Sequence, residues 1–239
     1  LLVGNIDERG TYLRKSADHF DTLCITQAQG RVTAIDTAAR RVALSDGKHF
    51  DYDRCLIATG SVPVKPPISG LDSPFVQTCW TMADARNILQ LAKPGARVLQ
   101  MGAGFIGCII LEALAQRGVK LTVVEMGDRM VPRMMGPVAG GLIKSWCEEK
   151  GVRVLTGTRV EALEAASPLR ARFSGGTAEE FDLVIQATGV RPNIGFLSNT
   201  PIRCLQGVLT DERQQTSIEG VYAAGDCRSE EHTSEPQSP

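Results

Sequence analysis

The stretch Arg97-Val-Leu-Gln-Met-Gly-Ala-Gly-Phe-Ile-Gly-Cys-Ile-Ile-Leu-Glu-Ala-Leu-Ala-Gln-Arg-Gly-Val-Lys-Leu-Thr-Val-Val-Glu125 predicts a strand, a tight turn, a helix and a second strand. The strand is an apolar run that leads into three glycines, and apolar residues then recur at helical spacing. In such a turn, Gly102 allows a tight bend and Gly104 lets the backbone approach a pyrophosphate, while Gly107 lets helix and strand pack closely.

This pattern predicts a turn that binds an adenine dinucleotide. The diphosphate would accept hydrogen bonds from N–H groups at the helix start, at Phe105 and Ile106, where the helix dipole adds positive potential. Glu125 ends the second strand, close to the ~20 residues expected for the acid that binds the ribose 2′-OH. Because a carboxylate repels a 2′-phosphate, we expect NADH to bind in preference to NADPH. The alternative is a glycine-rich turn that binds nothing.

Composition narrows the class of protein. The chain has 239 residues, enough for one large domain or two smaller ones, and 43% of them are hydrophobic, enough to fill a core. A net charge of -1 gives no basic surface for nucleic acid or an anionic membrane, and no apolar run reaches the ~20 residues that span a bilayer. We therefore expect neither nucleic acid nor membrane as a partner.

The cysteines indicate the compartment. Their number, seven, is odd, and no two are spaced as C-x-x-C, which argues against both a disulfide framework and a zinc site. Most lie in apolar segments, so we expect them to be buried as small hydrophobic residues. Since no signal peptide is visible, we expect a cytoplasmic protein. Because the cysteine spacing does not fit a zinc site, we expect no bound metal.

Periodicity predicts the other elements. Before the glycine turn, short strands with turn signals between them predict a three-stranded meander and then a fourth, fully buried strand, at 31–36, 40–45, 49–52 and 55–58. Helices are predicted at 81–91 and 137–150, and further strands at 152–155, 159–163, 169–173, 181–187 and within 217–226.

Five motifs together resemble the FAD-dependent pyridine nucleotide-disulfide oxidoreductases, and most of all the NADH-dependent ferredoxin, rubredoxin and nitrite reductases. They occur in the family's order over nearly all of residues 24–227. Besides the glycine turn, they are Leu56-Ile-Ala-Thr-Gly-Ser61, Thr81-Met-Ala-Asp-Ala85, Ala187-Thr-Gly-Val-Arg-Pro-Asn193 and Val221-Tyr-Ala-Ala-Gly-Asp226.

The resemblance implies an α/β fold with two Rossmann-like domains, the FAD domain being discontinuous and incomplete and carrying the β-meander. It implies a partial FAD-binding domain at 1–93, an NAD-binding domain at 94–206 and a return segment of the FAD domain at 207–227. By likeness, Asp226 holds the ribityl chain of FAD, Thr59 and Gly60 form a turn close to FAD, and Gly189 forms the turn beside NAD. The alternatives are a loop-capping acid and ordinary turns at strand ends.

The sequence departs from the family pattern at several places. A first glycine fingerprint for FAD and a carboxyl-terminal domain are missing, so we expect a fragment that binds NADH without retaining FAD. Ile109 stands where many relatives have a glutamate near the nicotinamide, which puts that contact in doubt. The tail 228–239 has no apolar residue and resembles a translated sequencing adapter, so we expect it to be an artefact outside the fold.

The activity that the resemblance implies is hydride transfer from NADH to FAD, with electrons passing onward to an iron–sulfur, sirohaem or similar acceptor protein or domain, in a homodimeric parent. No catalytic residue is assigned, because His19, His49 and His232 are scattered and we expect them to be solvated. Two alternatives stay open. One is an enzyme of the NADH oxidase or coenzyme A disulfide reductase type, and the other is a non-catalytic domain that senses NADH.

Overall fold

A computed structural model describes residues 1–164 and 167–229 and shows a mixed α/β fold, as predicted. In chain order, the α-helices are α1 (His19–Thr22), α2 (Met82–Leu91), α3 (Phe105–Gln116) and α4 (Pro137–Glu149), with 3₁₀ turns at Glu8–Thr11, Gly195–Leu197 and Gly225–Cys227. The strands are β1 (Val32–Asp36), β2 (Arg41–Leu44), β3 (His49–Asp51), β4 (Cys55–Ile57), β5 (Ser61–Pro63), β6 (Val76–Gln77), β7 (Arg97–Met101), β8 (Lys120–Val124), β9 (Arg153–Leu155), β10 (Val160–Glu164), β11 (Leu169–Phe173), β12 (Ala178–Phe181), β13 (Leu183–Gln186), β14 (Val190–Pro192) and β15 (Val221–Ala223).

The chain forms two compact units. The first unit contains residues 1–13 and 63–189, and the second unit contains residues 14–62 and the described residues from 190 onward. In the first unit, β6 pairs with β13, and α2 buries Ile88 in the core. In the second unit, Leu197 lies in the core. The domain boundaries at 93 and 206 that the resemblance implies stay a prediction.

A parallel five-stranded sheet is the centre of the first unit. Its strand order is β6-β13-β7-β8-β9, so β7 lies in the middle. Side chains alternate between its two faces, with Val98 in a cluster against the helices and Leu99 in a second cluster. All five strands end at the same edge, and the loops that follow them are where ligands bind in sheets of this kind.

An antiparallel sheet of β10, β11 and β12 packs on the second cluster through residues such as Leu169 and Phe173. The single strand predicted at 181–187 is divided into β12 and β13 at Asp182. There the Arg97 N–H donates to the Asp182 carboxylate over 2.8 Å, and the Asp182 N–H donates to the Arg97 carbonyl over 2.8 Å. The chain changes sheets at this point.

The second unit is smaller and holds the predicted meander. Strands β1, β2 and β3 pair antiparallel in sequence order, and β4 pairs parallel with β15. Ile57 and Val221 are buried in its core, but Leu56 is 61% exposed. The prediction of a fully buried fourth strand is therefore wrong, because Leu56 projects from the face of β4 opposite to Ile57 and none of the described residues buries it there.

The first residues of the predicted tail belong to the fold. Ser229 is buried, and its N–H donates to the Val208 carbonyl over 2.9 Å. The prediction that the tail outside the fold begins at Arg228 is therefore wrong for Arg228 and Ser229. The rest of the predicted tail, including His232, lies outside the described residues. In the part of the chain that is described, no helix has the length and apolar character needed to cross a membrane.

Candidate functional site

The glycine turn lies at the carboxyl end of β7, in the middle of the sheet. Gly102 has φ +99°, a backbone conformation that favours glycine, and a Cβ there would lie 2.3 Å from the Ala187 carbonyl oxygen. At Gly107 a Cβ would lie 2.7 Å from the Gly102 carbonyl oxygen. The bend and the close approach of α3 to β7 therefore both require glycine.

Gly104 differs from these two glycines, because a Cβ there would meet no described atom within 4 Å. It is the N-cap of α3, and no side chain caps the helix. The helix begins its own hydrogen bonding with the Cys108 N–H, which donates to the Gly104 carbonyl over 3.0 Å. The N–H groups of Phe105, Ile106 and Gly107 precede that bond and point out of the helix start, as an anion site requires.

Glu125 lies against the glycine turn. One carboxylate oxygen accepts a hydrogen bond from the Ala103 N–H over 2.8 Å, and the other accepts one from the Gly127 N–H over 2.8 Å. The side chain is half-buried, so these two bonds hold it in one orientation. Glu125 follows the last glycine of the turn by 18 residues in the sequence, and the fold brings the acid and the turn into direct contact.

Gly189 lies beside the same edge, just after β13. The Ala187 N–H donates to the Met101 carbonyl over 2.8 Å, which joins the ends of β13 and β7. Gly189 has φ +97°, and its carbonyl accepts a hydrogen bond from the Val64 N–H over 2.9 Å. The residues predicted to bind NAD therefore all lie in the first unit, along one sheet edge.

The residues predicted to bind FAD lie together in the second unit. Thr59 Oγ1 donates to the Asn193 carbonyl over 2.8 Å, and the Asn193 N–H donates to the Gly60 carbonyl over 2.9 Å. Asp226 is exposed, and its Oδ2 accepts a hydrogen bond from Ser61 Oγ over 2.9 Å. A turn and an accessible carboxylate thus follow the paired strands β4 and β15.

Sequence reasoning missed two polar residues that support these sites. Ser61 is buried and orients Asp226. Gln100 lies within β7, which was interpreted as a plain apolar run, yet its amide Nε2 donates to the carbonyls of Gly102 and Gly107 over 3.0 Å each. The signal was available, since a polar residue in the middle of a buried apolar strand is unusual and needs hydrogen-bond partners.

The first turns of α3 present apolar side chains to solvent. Phe105 is 62% exposed, and Ile106 and Ile109 are 43% and 57% exposed. The apolar pattern predicted for the helix includes these three residues together with Ile110 and Leu114, but only the latter two are buried, along with Leu111. Ile109, at the position where a glutamate was considered, therefore presents an uncharged surface.

The cysteines are free, and fewer are buried than predicted. Only Cys147 and Cys227 are fully buried, and Cys24 is exposed because it lies in a loop after α1. Burial raises the pKa of the Cys108 thiol to about 11, with smaller contributions from Cys147 and Glu125. A thiol with that pKa is protonated near neutral pH, so Cys108 is poorly suited to act as a nucleophile.

A family model described as "Pyridine nucleotide-disulphide oxidoreductase" matches residues 3–238. The chain belongs to this family. The resemblance inferred from the five motifs is therefore confirmed, and so is the α/β dinucleotide-binding fold.

Individual members of the family are similar over most of the chain. It is 34% identical over 182 residues to the NADH-dependent phenylglyoxylate dehydrogenase subunit epsilon of Aromatoleum evansii, covering 76% of the chain and 43% of that protein. It is 34% identical over 187 residues to an NADH oxidase of Methanocaldococcus jannaschii, covering 76% and 42%.

The crystal structure of a covalent putidaredoxin reductase–putidaredoxin complex contains a chain of the same fold, with a TM-score of 0.90 and 28% identity. The match covers 95% of the present chain and 56% of that one. The present chain thus spans about half the length of the proteins that it matches.

Proposed function

We propose that the chain is the nucleotide-binding part of an NADH-dependent flavoprotein oxidoreductase, in which hydride passes from NADH to FAD and electrons then pass to an acceptor protein or domain. The observation that carries this proposal is the glycine turn with Glu125 fixed against it. Family membership supports the same class of reaction.

The residues of the first unit fit an adenine dinucleotide. Gly104 leaves the turn open, and the N–H groups of Phe105, Ile106 and Gly107 would bind the diphosphate. Each oxygen of Glu125 accepts one backbone N–H and keeps a further lone pair, so the carboxylate can also accept a ribose hydroxyl. Its charge would oppose a 2′-phosphate, which supports the preference for NADH.

The residues of the second unit fit part of a flavin site. Asp226 offers an accessible carboxylate to a polyol, Ser61 orients it, and Gly60 leaves its turn open, since a Cβ there would meet no described atom within 4 Å. When bound, FAD supplies the capacity to accept hydride and to release electrons one or two at a time. The protein contributes binding and orientation, and no side chain is assigned to proton transfer.

The acceptor in this proposal is a small redox protein or a fused domain. The solved complex of putidaredoxin reductase with putidaredoxin supports a protein acceptor. An oxidase that reduces oxygen is the second candidate, because the chain is 34% identical to an NADH oxidase over 187 residues. The assignment of 94–206 to NAD and of 1–93 with 207–227 to FAD stays a prediction, as do a homodimeric parent and a cytoplasmic location.

Titration of the purified chain with NADH and NADPH, followed by the change in cofactor fluorescence, tests the nucleotide site. We expect NADH to bind at least about tenfold more tightly, since like charges near a fixed carboxylate cost more than about 1.4 kcal/mol. Glu125→Gln should remove most of that preference. Glu149→Gln, which changes an exposed acid on α4, is the matched control and should leave both affinities unchanged. Equal affinities in the unmodified chain would contradict the role of Glu125.

Anaerobic mixing of a full-length parent with NADH tests the redox step. Bleaching of the flavin absorbance within seconds, followed by reduction of a ferredoxin-type acceptor, supports the proposal. In a separate aerobic assay, rapid oxygen consumption without any acceptor protein would favour the oxidase instead. Slow bleaching with a long-lived charge-transfer band would favour the sensing domain.

A further inference from the structure

Gln100 is a polar side chain at the centre of the first unit. It is the fourth of the five residues of β7, its exposed fraction is 0%, and Ile185 of β13 and Val123 of β8 flank it in the sheet. Its Nε2 donates to two carbonyl oxygens, those of Gly102 and Gly107, over 3.0 Å each. The first carbonyl belongs to the glycine turn, and the second belongs to the first turn of α3.

We propose that Gln100 is a positioning residue for the diphosphate-binding turn, an inference that rests on the proposed function of that turn. One amide group connects the bend after β7 to the start of α3 and so fixes the distance between them. The N–H groups that would bind the diphosphate lie between these two carbonyls in the sequence. Gln100 itself reaches no ligand, because it is fully buried.

The packing around the amide supports this role. A Cβ on Gly107 would lie 3.0 Å from Gln100 Nε2, so the amide occupies the space that the glycine leaves open. Glu125 holds the N–H of Ala103, the residue after Gly102. The turn is therefore held by its carbonyl through Gln100 and by its next N–H through Glu125.

The amide oxygen shows that the fold alone does not explain this glutamine. Gln100 Oε1 is buried and has no hydrogen-bond partner among the described residues, which opposes folding. Turning the amide over would place Oε1 against the carbonyls of Gly102 and Gly107 and would lose both bonds. An apolar side chain, as at the neighbouring Leu99 and Met101, would avoid the unpaired oxygen. What the glutamine adds is its pair of bonds to the turn.

Gln100→Met and Gln100→Leu test the inference in the 239-residue chain. Both remove the donor and keep an apolar side chain of similar size, so that one remains if the other fails to fold. We expect the Kd values of NADH and ADP to rise about tenfold or more, the effect of losing two hydrogen bonds that hold the site. The affinity for adenosine, which lacks the diphosphate, should change less than about twofold. The melting temperature should change little, because removal of the unpaired amide oxygen offsets loss of the two hydrogen bonds.

The matched control is Gln77→Met, which removes another buried glutamine from the same sheet. Gln77 lies in β6 and donates to the Pro74 carbonyl over 2.7 Å, and its Oε1 accepts a hydrogen bond from Asn87. This variant should lower the melting temperature and leave the Kd of NADH unchanged. It separates loss of a buried hydrogen bond in the sheet from loss of the contacts with the turn.

Two results would overturn the inference. One is an unchanged Kd for NADH and ADP in both Gln100 variants. The other is an equal loss of affinity for NADH, ADP and adenosine together with a lower melting temperature, which would make Gln100 a structural residue only. Failure of the unmodified chain to bind NADH or ADP would instead overturn the proposed function, and the inference with it.

Discussion

The two regions predicted to hold the dinucleotides are built differently. In the first unit, the glycine turn follows the middle strand of a five-stranded parallel sheet and is held by Gln100 and Glu125. In the second unit, Thr59 and Asp226 follow two paired strands, and Asp226 is exposed with one hydrogen bond from Ser61. The first region is fixed by several hydrogen bonds from a buried strand, whereas in the second the carboxylate is exposed and fixed by one bond.

This comparison shows which residues of a binding site also belong to the hydrophobic core of a unit. A residue in the first region contributes to packing and to ligand binding at the same time, so its replacement changes both. A residue in the second region contributes little to packing, so its replacement should affect ligand binding alone. Four experiments test this difference between the two units.

Gly102→Ala should have the largest effect. Its Cβ would meet the Ala187 carbonyl at 2.3 Å in a backbone conformation with φ +99°, so we expect a loss of about 3 kcal/mol or more in the free energy of unfolding. Gly60→Ala in the second unit is the matched control. It has φ +64° and no described atom within 4 Å, so it should cost only about 1–2 kcal/mol. Urea unfolding measures the free energy of unfolding of both variants, and equal losses would contradict the difference between the two regions.

Asp84→Asn should have the next largest effect, through the start of α2. Burial pushes the pKa of Asp84 upward, but hydrogen bonds from Thr78, Thr81 and Trp80 outweigh it, and the net pKa lies below 3.8. The carboxylate therefore stabilises the first unit above about pH 4, and this contribution is lost as the pH falls through the lowered pKa. We expect a loss of about 1 kcal/mol at pH 7.

The pH dependence distinguishes this effect from a general loss of packing. In the Asp84→Asn variant, the free energy of unfolding should fall less steeply below pH 4 than in the unmodified chain. Urea titrations between pH 3 and pH 7 measure the slope. An unchanged slope would show that the hydrogen bonds at the N-cap do not depend on the charge of Asp84.

Asp226→Ala should have a small effect on stability. The side chain is exposed and accepts one hydrogen bond, from Ser61, so we expect a change of less than about 1 kcal/mol. The affinity of a full-length parent for FAD should nevertheless fall, and flavin release on dilution measures it. A stability loss as large as that of Gly102→Ala would show that the second region is also part of a core.

Alkylation should distinguish the cysteines of the two units without changing stability. Burial raises the pKa of the Cys108 thiol in the first unit to about 11, whereas Cys24 in the second unit is exposed. At pH 8, iodoacetamide should therefore modify Cys24 first and leave Cys108 nearly unmodified, as measured by mass spectrometry of the peptides. The unfolded chain is the control, in which both should react. Equal rates in the folded chain would contradict the raised pKa of the Cys108 thiol.

The sequence predicts those features that depend on neighbouring residues. The glycine turn, α4 and the meander follow from local spacing and turn residues, and the contact between Glu125 and the turn follows from the geometry of a strand–helix–strand unit. The family motifs also identify the residues near Asp226, since their order along the chain is distinctive.

The features that the sequence does not predict depend on distant partners. Leu56 is exposed because no described residue covers its face of β4, and apolar composition does not reveal which face of a strand is covered. The strand predicted at 181–187 is divided at Asp182 by the bonds of this residue to Arg97, which lies 85 residues away. The role of Gln100 depends on the space left by Gly107, and only the folded turn shows that space.

The pairing of β4 with β15 has a consequence for synthesis of the protein. Cys55 pairs with Val221, and the continuous segment Pro63–Gly189 of the first unit lies between them in the chain. On the ribosome, β4 emerges long before its partner, while the inserted segment already has all five strands of its sheet. We expect the second unit to close last and to present an unpaired apolar strand edge to chaperones until translation has passed Ala223.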